Sequence, residues 1–79
     1  MSEIHITSTL DTCGTCCPMP IFRTNKTMKE MAIGEVLELI ATDVGTRVDV
    51  PAWCASTGKT ILSTSEADGK LHYCIRKDR

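Results

Sequence analysis

Apolar and polar residues alternate at two different periods along this 79-residue chain, and the switches between periods mark six elements. Ile4, Ile6, Ser8 and Leu10 alternate with His5, Thr7 and Thr9, the period of a strand with one mostly buried face. Asp11 to Cys17 reads as a loop punctuated by Gly14. From Pro18 to about Ala32 the period lengthens: Ile21, Thr24, Met28 and Met31 fall on one stripe, with Arg23, Lys26, Lys29 and Glu30 off it. That is an amphipathic helix, and Gly34 is placed to act as its C-cap. Glu35 to Thr42 returns to period two, with Leu37, Leu39 and Ala41 on one face and Val36, Glu38 and Ile40 on the other.

Asp43 to Arg47 reads as a connection containing Gly45. A short helix follows, with Asp49 as N-cap, Pro51 in its first turn and Gly58 at its end. Its inward stripe is Val50, Trp53, Cys54 and Thr57, and its start is irregular from Thr46. Thr60 to Glu66 and Leu71 to Lys77 read as strands joined at Asp68-Gly69, a strong hairpin signal. Leu71, Tyr73 and Ile75 share one face of the last strand, and Cys74 alternates to the other. The order βαβαββ predicts an α/β (α+β) two-layer sandwich. A four-stranded mixed sheet carries both helices on one face, because two helices cannot wrap both sides. Residues 1–79 suffice for a single small domain with a thin core. The uncovered sheet face leaves the chain a monomer or a weak homodimer.

Composition narrows the function classes. Nine Lys and Arg against ten Asp and Glu leave a net charge of −1 with the signs mixed. No basic stripe suits direct nucleic-acid binding. The polar start carries no secretory pattern, and no apolar run reaches the ~18 residues of a membrane span. The expected location is cytoplasmic, without membrane contact. In a reducing compartment five cysteines act as thiols, ligands or reactive groups rather than as staples.

The chemistry concentrates in Cys16-Cys17-Pro18-Met19-Pro20. Proline is favoured at the first position of a helix, so Pro18 makes Cys17 the expected N-cap, facing unpaired N–H groups and the positive end of the dipole. Such a site lowers a thiol pKa from roughly 8.5 to between about 3.5 and 7.5. Cys17 is therefore the candidate nucleophile. Pro18 and Pro20 stiffen the turn that projects it. Met19 and Phe22, rimmed by Arg23 and Lys26, form a candidate docking patch. Asp11 and Asp43 suit loop capping. Cys13 and Cys16 make a Cys-x-x-Cys pair without a second pair to complete a zinc site. They are inert loop thiols or thiols auxiliary to Cys17 that resolve it. Cys54 and Cys74 read as packing residues, and His5 and His72 have no spaced metal partner. No cofactor or metal motif is present.

Leu10-Asp11, Gly14, Cys17-Pro18-Met19-Pro20, Gly34-Glu35-Val36-Leu37, Thr42-Asp43, Asp49-Val50-Pro51-Ala52-Trp53-Cys54 and Gly58 together resemble the TusA/SirA-like family of small sulfur carriers. The resemblance implies a βαβαββ fold and a persulfide on the cysteine of Cys-Pro-x-Pro, which is Cys17 here. It also implies a carrier rather than a self-sufficient enzyme. Its donor would be a rhodanese or cysteine desulfurase, and its acceptor a DsrE-like carrier or a thiolating enzyme. The pathways implied are tRNA thiolation, molybdenum cofactor synthesis or sulfur oxidation. Cys13 and Cys16 depart from the family pattern, as do Val44 in place of a common proline and Lys59 in place of a common histidine. A second expectation from the cysteines themselves is a redox-responsive regulatory module using Cys13, Cys16 and Cys17. A third is a small zinc-binding domain.

Overall fold

A computed structural model describes residues 5–14 and 19–79. The elements run β1 (Ser8–Asp11), α1 (Met19–Lys29), β2 (Val36–Ala41), α2 (Thr46–Thr57), β3 (Thr60–Ala67) and β4 (Lys70–Arg76). The sheet order is β1-β2-β4-β3, with β1 and β2 parallel and the other neighbours antiparallel. The two-layer βαβαββ arrangement read from the sequence is thus the observed one.

Period two in β2 places Leu37, Leu39 and Ala41 on one face, and all three are fully buried. Across the sheet Leu39 stands between Leu10 and Tyr73, while Leu37 is paired with Ile75, which in turn meets Ile61. Met28 of α1 and Val50 and Cys54 of α2 join the same cluster, so both helices cover the same side. The far side carries a polar ladder instead. Glu38 accepts from Thr9 (3.4 Å) and pairs with His72 (3.3 Å). That contact gives His72 a structural partner.

Several sequence expectations are corrected. Strand β1 starts at Ser8, and Ile6 is exposed rather than buried; Ile4 lies outside the described residues. At the sheet edge β1 has a neighbour on one side only, and its inward Ser8 and Leu10 are half-buried. Helix α1 ends at Lys29, so Gly34 is not its C-cap. The last turn tightens through Glu30 N–H to Thr27 O and Met31 N–H to Met28 O. Gly34, at φ 95°, is the third residue of a turn closed by Glu35 N–H to Ala32 O, where positive φ favours glycine.

The carbonyls left at the end of α1 are met from far along the chain. Lys77 Nζ donates to Met28 O (2.5 Å) and Met31 O (2.7 Å). A cation at this end also opposes the negative end of the helix dipole. Lys77→Met keeps the apolar stem and removes those bonds. We expect a loss of about 1.5–3 kcal/mol, the range for hydrogen bonds to a charged group. It should read as a lower urea midpoint with an unchanged slope.

Helix α2 begins three residues before the predicted N-cap Asp49, with Gly45 at the cap. The reason is a turn built by Asp43. Its carboxylate accepts from Gly45 N–H (3.0 Å), and its carbonyl accepts from Thr46 N–H and from Thr46 Oγ1 (2.6 Å). Asp49 lies in the first turn, where its charge favours the dipole. Pro51 consequently falls inside the helix rather than in its first turn. Val50 and Cys54 are buried as the stripe predicts, with Trp53 and Thr57 half-buried. At the hairpin Asp68 (φ 54°) and Gly69 (φ 74°) are both left-handed, the requirement of a two-residue type I′ turn.

Candidate functional site

The parallel pair β1–β2 brings two loops to one end of the sheet. The loop leaving β1 is pinned to the end of β2 residue by residue. Thr12, fully buried, donates from both N–H and Oγ1 to Ile40 O, each at 2.7 Å. Gly14, at φ 83°, donates its N–H to Thr42 Oγ1 (3.0 Å). On the other side, α1 is fixed by Pro20, which is fully buried, and by Thr24 Oγ1 donating to Pro20 O (2.7 Å). Cys16, Cys17 and Pro18, between these two anchors in sequence, lie outside the described residues, as do the N-cap and helix start assigned to Cys17 and Pro18.

Asp11 plays the capping part expected of it. Its carboxylate accepts from Cys13 N–H at 2.9 Å. The neighbouring Cys13 thiol, together with this N–H, holds the Asp11 pKa below the ordinary carboxylate value. The same contact raises the Cys13 thiol above its ordinary value, helped by partial burial and by the charge of Asp11. Cys13 is held as a thiol, which disfavours it as an attacking group.

The other described cysteines are also shielded. Cys54 is 3% exposed in the core, and burial pushes its thiol up to about 11. Cys74 is buried although it lies on the sheet face away from the helices; it sits in a central strand between Glu38 and Ser63. No group of three or more potential metal ligands occurs among the described residues.

The raised Cys54 pKa gives a signed pH dependence. The unfolded chain ionises this thiol near 9, and the folded protein near 11. Between those values the folded state holds more protons, so stability present below about pH 9 is lost as pH rises towards 11. The loss is of order 2–3 kcal/mol. Thermal melts of wild type and Cys54→Ala across pH 8–11 separate this from other alkaline titrations. We expect the gap between the two proteins to shrink as pH rises.

The candidate docking residues are exposed, as the helical stripe predicts. Met19 is 45% and Phe22 70% accessible, and Arg23 and Lys26 are exposed beside them. Ile33, Val44 and Val48 are further exposed apolar residues. The sequence reading did not single out Thr12 or Thr46 as buried. Thr46 Oγ1 also meets the Tyr73 hydroxyl at 2.9 Å. A threonine three residues after a loop aspartate was the available signal for Thr46.

The sequence model of the family described as Sulfurtransferase TusA matches residues 8–77. The chain belongs to the TusA family. Over 68 residues it is 43% identical to the sulfur carrier protein TusA of Allochromatium vinosum, covering 86% of this chain and 90% of that one. Its identity to the TusA of Pseudomonas entomophila is 40% over 77 residues, 98% of this chain and 96% of the other. Bacillus subtilis YrkF is 50% identical over 72 residues, which make up 90% of this chain but only 38% of that protein. A SirA-like protein of Desulfitobacterium hafniense superposes with a TM-score of 0.81 over 92% of this chain and all of that one. At 23% identity it speaks to the fold alone. No helix among the described residues is long and apolar enough to cross a membrane.

Proposed function

We propose that this TusA-family protein carries sulfane sulfur as a persulfide on Cys17, taking it from a donor protein and passing it to an acceptor thiol. The observation that carries this reading is the state of the other described thiols. Cys54 and Cys74 are buried, and Asp11 raises the Cys13 thiol above its ordinary value. The Cys-Pro-x-Pro element, in which Cys17 is the first residue, lies within the residues that match the family and resembles the element expected of its carriers.

In the proposed cycle the Cys17 thiolate attacks the outer sulfur of a donor persulfide. The new S–S bond forms as the donor's S–S bond breaks, and the donor leaves as a thiolate. In the second half an acceptor thiolate attacks the outer sulfur on Cys17, which leaves as thiolate in turn. No oxidant is consumed, and rates follow thiolate fraction, leaving-group pKa and access. The exposed Met19 and Phe22, flanked by Arg23 and Lys26, supply a small apolar patch with a basic rim for donor and acceptor surfaces. A rhodanese or cysteine desulfurase suits the donor role, and a DsrE-like carrier or thiolating enzyme the acceptor role.

The test is intact mass spectrometry. Reduced protein incubated with a persulfide donor should gain one sulfur atom and lose it to an acceptor thiol. A loss of two hydrogens under mild oxidant without sulfur uptake would instead favour the redox-responsive module.

A further inference from the structure

At the end of α1 away from Met19, a separate cluster has no part in thiol chemistry. Asn25, Met28, Lys29, Lys59, Lys77 and Arg79 line a hollow of about 50 Å³. Four of those six side chains are cationic. None of the four is in an ion pair among the described residues. The nearby carboxylate of Asp78 is engaged by Arg76 (2.6 Å) and by the Thr60 hydroxyl.

The topology explains why the cations converge. Both helices follow parallel strands, so both end on this side, and each presents its negative pole there. Lys77 binds the α1 carbonyls, and Lys59 Nζ donates to Thr57 O at 3.3 Å while lying 5.5 Å from the Trp53 ring centre. Arg79 lies directly on Gly58 at the end of α2. A Cβ there would stand 2.8 Å from Arg79 Nε, and the glycine adopts φ 73°. The plain account is that these cations serve the helix ends. Magnitude decides against that as the whole role. Two helix C-termini present about −1 in total against four full positive charges. Allowing a further −1 for a carboxylate close by, a surplus of about +2 faces one hollow, in a chain of net charge −1.

Size points the same way. A bound water needs about 10–15 Å³ by this measure, so the hollow has room for several waters or for one anion with four oxygens. Charge-assisted N–H···O bonds from lysine and arginine suit such an anion, and the Asn25 amide adds a neutral donor.

From this we propose that the hollow between the ends of α1 and α2 binds a tetrahedral dianionic oxyanion, of the sulfate or phosphate class.

Heteronuclear NMR titration of the whole protein tests this, with sodium sulfate, sodium phosphate and, at matched ionic strength, sodium chloride. Saturable shifts at the amides of Asn25, Lys29, Lys59 and Arg79 are expected with sulfate or phosphate and not with chloride. The double variant Lys29→Gln/Arg79→Gln alters two exposed side chains and should bind about tenfold more weakly. Shifts that chloride reproduces, or an affinity unchanged in the double variant, would overturn the proposal. The comparison of anions on wild type stands even if the variant folds poorly.

Discussion

Cys17→Ser is expected to abolish sulfur uptake, leaving the protein's mass unchanged after incubation with a persulfide donor. The argument rests on what the remaining thiols can do. Cys54, with its thiol near 11, is ionised in only about one molecule in ten thousand at pH 7, and it is also 3% exposed. Cys74 is buried. The Asp11 carboxylate raises the Cys13 thiol above its ordinary value. A serine hydroxyl forms no S–S bond. Cys16→Ser, beside it in sequence, should retain most of the uptake, because on this account the chemistry belongs to the residue preceding Pro18. Equal losses in the two variants would show that the vicinal thiols act as a pair. Retained uptake in Cys17→Ser would remove the proposed role.

Leu39→Ala should destabilise the protein by about 3–4 kcal/mol, within the range for large-to-small changes in a packed core. Leu39 is fully buried in β2, with Leu10 of β1 on one side and Tyr73 of β4 on the other. Folded proteins keep only about 5–15 kcal/mol in total, and a small sheet with two covering helices has few layers to relax into the cavity. For a domain of this size the melting temperature should fall by roughly 12–32 °C. The effect reaches the site as well, since the loop after β1 is held by Ile40 O and Thr42 Oγ1 at the end of the same strand. A change below about 1 kcal/mol would contradict the central place given to this row.

What could be read from the sequence follows from how local each cause is. In β2, alternation alone separates the buried Leu37, Leu39 and Ala41 from the far face, because a central strand repeats its environment every second residue. Asp68-Gly69 announces its turn because the required backbone angles are rare in other residues. The end of α1 was not legible. It is set partly by Lys77, 46 and 49 residues away from the carbonyls it binds. Helix α2 starts at Thr46 rather than after Asp49 because the controlling carboxylate belongs to Asp43, whose bonds to Gly45 and Thr46 form the turn. The burial of Cys74 likewise depends on the strands on either side rather than on its own neighbours in sequence.

At the candidate site, residue types were legible before their surroundings. Met19 and Phe22 are as exposed as an off-stripe position predicts. Cys13, read as an inert or auxiliary thiol, donates its N–H to Asp11 two residues earlier. A Cys-x-x-Cys spacing says nothing about such a contact.

The most direct measurement is cysteine-resolved alkylation of the reduced protein across pH 5–10, with each labelled peptide quantified by mass spectrometry. The account predicts that Cys17 is labelled first, with an apparent pKa well below the roughly 8.5 of a free thiol, while Cys13 and Cys54 lag. A Cys17 that titrates at or above the free-thiol value, or reacts more slowly than Cys13, would contradict it.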